Sequence, residues 1–405
     1  MATAVVDDDT LRAWWAHRQG LDGSLAGASA GTVLERTGWA RSVGGAGPYL
    51  TLFARAGITR AAADAGVAAL EIHELPAARG CTYVVPASDF GLALRVGQGS
   101  GDTAEIAMAK KYCGVTAAEI DRLTAAVPAA LATGPLDPAA LKAAVGDAVR
   151  SLGPEGKKRG LTTTLPLALG ALQAAGAIRR VPINGRLDQQ RYRYARWDGL
   201  EDANLQLALE EAHHALAQRY FRWIGPATVA HFQWFSGLSA KAARAAIAPL
   251  GLVPLAPDDA RLLFPEDREA LLAFRPPAAP CFILTSGLDN ITHLRRDVSG
   301  LLSAADRERR VFGERGEQIV GGLSDLPSHP ILDRGRLIGL WEYDPPAESI
   351  AWMTFEPQPE ALRVAIARTE TFVRDELGDV RAFSLDSPES RLARIAALRA
   401  VAAAT

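Results

Sequence analysis

The stretch from Ser151 to Trp197 constrains this chain more than any other, because a helix, its stop signal, a tight turn and a local excess of positive charge follow one another there. Gly156-Lys157-Lys158-Arg159-Gly160 leads through Thr162, Thr163 and Thr164 into Leu167, Leu169, Leu172 and Ile178, spaced for a buried helix face. Gly176 is placed to stop that helix. A strand over 178–183, a turn at Asn184-Gly185 and a return strand from Gln190 to Trp197 then make a hairpin. Nine cationic side chains (Lys157, Lys158, Arg159, Arg179, Arg180, Arg186, Arg191, Arg193 and Arg196) face only Glu155 and Asp188 within the stretch. In a chain of net charge -2 this excess reads as a phosphate-facing surface, with Lys157, Lys158, Arg159, Thr162, Arg186, Arg191 and Arg193 as the candidate contacts. The bland alternative is a solvated hairpin. Alternation of Arg191, Tyr192, Arg193 and Tyr194 puts guanidinium groups on one hairpin face and phenols on the other.

Helix, glycine, strand, Asn-Gly, strand is the order of a winged helix, and the rest of the chain reads as variations on it. A helix carrying Leu11, Trp14 and Trp15 ends near Gly20, a second begins between Leu25 and Leu34, and Trp39 to Pro48 breaks the pattern with three glycines and a proline. Helical spacing resumes at Tyr49 and again over 64–75, before a strand over 79–86 that Pro86 closes. Thr116-Ala-Ala-Glu119 is a capping box. Beyond Asn204 a long helix, two short helices separated by Gly237 and a strand at 251–255 repeat the pattern a third time. After Pro276-Pro277 short strands (281–285, 331–343, 350–355) point to a small antiparallel barrel, closed by two charged helices. The expected architecture is therefore a helix-rich α+β chain of tandem winged-helix modules at 1–100, 101–199 and 200–276, followed by a C-terminal β-barrel at 277–405.

With 405 residues, several domains are expected. Cys81, Cys113 and Cys281 stand far apart, indicating neither a disulfide framework nor a zinc cluster. The N-terminus is acidic where a signal peptide needs positive charge, and no apolar run reaches the roughly 18 residues of a membrane span. These features fit a cytoplasmic protein with no membrane partner, and a monomer is favoured.

Taken together, His17-Arg18-Gln19-Gly20-Leu21, Arg79-Gly80-Cys81-Thr82, Tyr220 with Gly225-Pro226-Ala227-Thr228, and Gly335-Arg336 with Gly339 and Trp341 make the chain resemble the winged-helix DNA glycosylases of the AlkZ/YcaQ type. The resemblance runs in order along nearly the whole chain. It implies binding of double-stranded DNA and hydrolysis, without metal or other cofactor, of the N-glycosidic bond of alkylated or crosslinked purines, in repair or in self-resistance of genotoxin producers. The family's Gln-x-Gln signature has no counterpart, because no glutamine occurs between Gln19 and Gln98 and the corresponding loop reads Ala40-Arg41-Ser42-Val43-Gly44. A non-catalytic winged-helix DNA-binding protein is the alternative.

Cleaving a purine from deoxyribose builds positive charge on the sugar, which calls for a carboxylate or another acceptor that can also place water. The candidates are Arg41 and Ser42 in the loop, with Glu71 or Asp89 to orient water. Against this, Asp89 with Ser88 could simply cap a helix, and Glu71 could be an exposed helical residue. The loop over 39–48, with its Gly44-Gly45-Ala46-Gly47 run, could admit DNA close to its backbone or be only a tight turn. It is no Rossmann fingerprint, Gly153 to Lys158 is no P-loop, and the adjacent His213-His214 cannot share a helix face to hold a metal. The tryptophans at 14, 15, 39, 223 and 234 are expected in core or interface, with base stacking as the minor role.

Overall fold

A computed structural model describes residues 6–98, 102–189, 191–200, 202–313 and 316–404. It is helix-rich α+β, as expected, and helices precede a small antiparallel hairpin three times. In the first instance Ala30–Thr37, Gly47–Ala56 and Arg60–Ala68 lead to strands Ile72–Pro76 and Thr82–Pro86, onto which the short strand Ala40–Arg41 adds an edge. The second runs from Ala117–Ala130 through Leu165–Ala174 to Ile178–Pro182 and Tyr192–Arg196. The third places Val229–Ser236 and Ala240–Ile247 before Val253–Pro254 and Leu262–Leu263.

Local chemistry explains most boundaries. Thr116 and Glu119 form the reciprocal capping box on helix Ala117–Ala130. Gly237, at φ 73, ends one short helix and Ser239 caps the next by accepting from the Ala242 N–H. The helical spacing over 64–75 is misleading: the helix stops at Ala68, Leu70 turns at φ 57, and Ile72–Pro76 is a strand paired with Thr82–Pro86. The helix placed between Leu25 and Leu34 begins instead at Ala30, where the Ser29 side chain accepts from the Thr32 N–H. Asn184-Gly185 does turn the chain, with the Gly185 N–H bonded to Pro182 O, but the return is delayed. Leu187 is drawn into the core and its N–H donates to Tyr49 Oη at 2.8 Å, so pairing restarts only near Arg191. Gln190, the expected first residue of the return strand, lies outside the described residues.

The C-terminal sheet is an open half-barrel rather than a closed barrel. Its strands run Ser349–Thr354, Arg336–Asp344, His329–Asp333 and Phe282–Leu284 in that order, all antiparallel, and the first and last do not pair. Closure is replaced by cover, with helices Ala361–Phe372 and Pro388–Ala404 packed against the sheet. Gly335 makes the turn between two of these strands at φ +79 and presses on the N-terminal helix Asp8–Arg18, where a Cβ would collide with the Arg12 carbonyl oxygen.

Two apolar clusters between them bind the first and third helix–hairpin units to the C-terminal sheet: Leu11, Leu216 and Leu340 share one, and Val33, Tyr49, Ile331 and Val380 share the other. Residues 109–178 hold two further clusters of their own. No described helix is long and apolar enough to cross a membrane.

Candidate functional site

Strand Ala40–Arg41 positions the loop in which the catalytic side chains were expected. It pairs antiparallel with Thr82–Pro86, Ala40 opposite Val84 and Arg41 opposite Tyr83, so alternation sends Arg41 to one face and Ala40 and Ser42 to the other. The Arg41 guanidinium donates to Thr82 O at 2.8 Å and lies 5.3 Å from the Tyr83 ring centroid. Ser42 is buried, and its hydroxyl donates to Glu74 Oε1 at 2.5 Å. Glu74 stands opposite Val84 on the neighbouring strand, on the same face as Ser42. Its Oε2 and the Tyr192 hydroxyl, brought up by the second hairpin, are neighbours that interact without closing a well-formed hydrogen bond. Burial and the Glu74 charge both push the Tyr192 phenol well above its ordinary range.

The other two carboxylates lie elsewhere. Asp89 is 0% exposed, accepting from Trp39 Nε1 at 2.8 Å and from Arg219 Nε at 2.7 Å. It makes no side-chain cap on the following helix, and it ties the first unit to the third. Glu71 accepts the Gly31 N–H at 2.8 Å, satisfying a donor in the first turn of helix Ala30–Thr37. Of the four sequence candidates, Ser42 alone meets an acid, Glu74, while Arg41 lies on the opposite face of the sheet against Tyr83. The sequence held no periodic signal for Glu74, since Ile72-His73-Glu74-Leu75 does not alternate and the strand is buried on both faces.

The glycine run is a site of close approach, but to the protein itself. Ala46 N–H donates to Arg381 O, Ser384 N–H donates to Val43 O, and a Cβ on Gly45 would overlap the Arg381 carbonyl oxygen. The segment over 381–384 therefore covers the loop from outside.

The basic residues divide into free and committed groups. Lys157 and Thr162 are exposed. Lys158 and Arg159 both pair with Glu155, at 2.8 and 2.7 Å, and Arg159 stacks 4.3 Å from the Tyr112 ring centroid. Arg191 and Arg193 are exposed with no ion pair among the described residues, while Tyr192 and Tyr194 are half-buried, as the alternation required. Arg186 is held by Asp188 and donates to Leu377 O at 3.1 Å, which makes it a strut between the hairpin loop and the C-terminal segment.

One cationic cluster had no sequence signal beyond its arginines. The Trp234 ring has the Arg79 guanidinium 3.5 Å and the Arg296 guanidinium 4.3 Å from its centroid. The half-buried indole is thus already engaged by two guanidinium groups of the protein itself. Both arginines adopt left-handed backbone, at φ 61 and φ 54. Trp14, Trp15, Trp39 and Trp223 are core residues, and the first two donate to the carbonyls of Gly225 and Pro226. Among the described residues no group of three or more His, Cys, Asp or Glu side chains is placed to hold a metal ion.

The profile of the AlkZ-like DNA glycosylase family matches residues 34–383. Among solved structures, the DNA glycosylase AlkZ of Streptomyces sahachiroi superposes with a TM-score of 0.67 at 20% identity, over 90% of this chain and 97% of that one. No curated protein sequence gives a significant match. The family match takes in the loop, all three helix–hairpin units and most of the C-terminal region, and it supports DNA as the substrate and glycosylase action in general. The chain belongs to the AlkZ-like family of DNA glycosylases.

Proposed function

We propose that the protein binds double-stranded DNA through its helix–hairpin units, acting as winged-helix modules, and hydrolyses the N-glycosidic bond of an alkylated, adducted or crosslinked purine. Repair or self-resistance is the corresponding biological role. The observation that carries this reading is the Ser42–Glu74 pair, a buried carboxylate with one oxygen held by Ser42 and the other facing the Tyr192 hydroxyl without a well-formed hydrogen bond, directly beside the loop of the expected catalytic side chains. In the reaction, water attacks the sugar C1′, the C1′–N bond breaks with its electrons passing to the base, and the water proton passes to Glu74. The carboxylate also opposes the positive charge that develops on the sugar, and Ser42 fixes its orientation.

A second reading, a DNA-binding protein without catalysis, draws on a different observation. Ser42 and Glu74 are only 2% and 5% exposed, beneath the cover that Arg381 to Ser384 places on the loop. Single-turnover incubation with duplex DNA carrying 7-methylguanine, followed by alkaline cleavage of abasic sites, separates the two. Strand breaks that Glu74→Gln slows by about 10²-fold or more, with duplex binding retained, support the enzyme. Intact strands despite a mobility shift support the binding protein for that substrate.

A further inference from the structure

A cavity of about 430 Å³ opens between the C-terminal sheet and the segment that covers the loop, a size suited to one small molecule. Its floor is Glu342, 1% exposed, on strand Arg336–Asp344. Arg394 Nε donates to Glu342 Oε1 at 2.8 Å and fixes the carboxylate, while Oε2 has no partner among the described residues. Arg394 is shared, since its Nη2 also donates to Asp386 Oδ1 at 2.8 Å. One guanidinium therefore serves two buried acids on this wall, and Asp325 on the rim is occupied by Arg296. His329 adds no positive charge: its Nδ1 accepts the Gly287 N–H at 2.9 Å, and burial keeps the ring below its usual range. Leu288, Leu326 and Pro327 supply apolar walls, and Phe383, 40% exposed, stands at the mouth.

We propose that this cavity is a binding site for a planar organic cation bearing N–H donors, seated between Phe383 and the apolar walls with a donor on Glu342 Oε2. A neutral ligand of the same shape leaves the excess carboxylate charge uncompensated, so the site discriminates by charge. Occupancy bears on the 39–48 loop, because Ala382 and Phe383 line the cavity while their neighbours Arg381 and Ser384 hydrogen-bond that loop at Ala46 and Val43. The binding itself requires neither DNA nor glycosylase activity.

The test is a matched pair of probes, benzamidinium and the neutral benzamide, titrated into the full chain by calorimetry or ligand-observed NMR. Benzamidinium is expected to bind at least about tenfold more tightly than benzamide. Glu342→Gln should remove that preference. Because Glu342→Gln also disturbs the Arg394 pairing, Phe383→Ala provides a variant at an exposed position, expected to weaken benzamidinium by about tenfold while leaving the melting temperature unchanged. No measurable benzamidinium binding, equal binding of the two probes, or binding that a folded Glu342→Gln and Phe383→Ala leave unchanged overturns the proposal.

Discussion

Buried charges decide most at the scale of single residues, and they are not equivalent. Arg55 and Asp289 are both 0% exposed, with Nη1–Oδ2 at 2.7 Å and Nη2–Oδ1 at 2.8 Å, and Gln19 and Thr51 complete the network. Removing one partner strands the other in the core, so Arg55→Ala or Asp289→Ala is expected to cost about 3–5 kcal/mol, read as a fall in the denaturation midpoint. Replacing both by apolar residues of similar volume should recover most of the loss. Asp89→Ala should cost less, because its partner Arg219 is 38% exposed and can turn to water. His73 gives the pH counterpart: both ring nitrogens lack hydrogen-bond partners among the described residues, and burial, then Arg179 and Arg180, lowers it to about 3. The unfolded ring takes a proton near 6.5 while the folded ring stays neutral, so stability is level above that pH and falls as pH drops from about 6.5 toward 3. At about pH 5 the loss from this residue is about 2 kcal/mol, and His73→Leu should show a smaller fall in melting temperature between about pH 7.5 and 5. Equal falls in both proteins would sink that account. At this scale the sequence marked the loop residue Ser42 but not its acid, and it did not show that Arg41 faces the other way. Asp89, Glu71 and Glu74 carry the same group, and only tertiary contacts show that Asp89 is taken by Trp39 and Arg219 while Glu74 meets Ser42.

Elements were legible wherever their signal was local. The Thr116–Glu119 box, the Gly237–Ser239 helix break and the Arg-Tyr alternation all act within a few residues, and all appear in the structure. Misreadings arose where a distant contact won, as when Leu187 pulled the hairpin loop toward Tyr49 and strand Ile72–Pro76 found its partner across a turn. The same local-against-committed distinction ranks the basic residues. Glu155 already compensates part of the Lys158 and Arg159 charge, whereas Arg191 and Arg193 project from strand Tyr192–Arg196 and its edge without such a partner among the described residues. Arg191→Glu with Arg193→Glu should therefore weaken duplex binding more than Lys158→Glu with Arg159→Glu. Fluorescence anisotropy at several salt concentrations checks this, each lost phosphate contact lowering the salt slope by about 0.9. The opposite ranking would place the DNA on the 157–159 side.

At the scale of the whole molecule, linear order conceals how the core is shared. Pattern reading divides the chain at 100, 199 and 276, but the apolar clusters join helix Asp8–Arg18 to helix Leu209–Ile224 and to strand Arg336–Asp344. Polar contacts run the same way: Arg12 donates to Leu302 O at 2.9 Å, Trp14 to Gly225 O at 2.9 Å, and Asp289 completes the Arg55 network from beyond the third unit. Such pairings are invisible to periodicity, which reports which face is buried and not against what. They carry a consequence for dissection. A fragment ending at residue 276 keeps all three helix–hairpin units but loses half of the ion pair and the sheet that covers Val33 and Tyr49. It is expected by circular dichroism to lose the helix signal of the first and third units and to keep only the transition of residues 102–199. Residues 102–199 carry two clusters of their own and should melt cooperatively as an isolated fragment. Full helix content in the longer fragment, with a second transition beyond that of residues 102–199, would mean that the units fold as independent beads. A longer fragment whose single transition matches that of the shorter one would mean that the first and third units and the C-terminal sheet form one folding body into which the second unit is inserted.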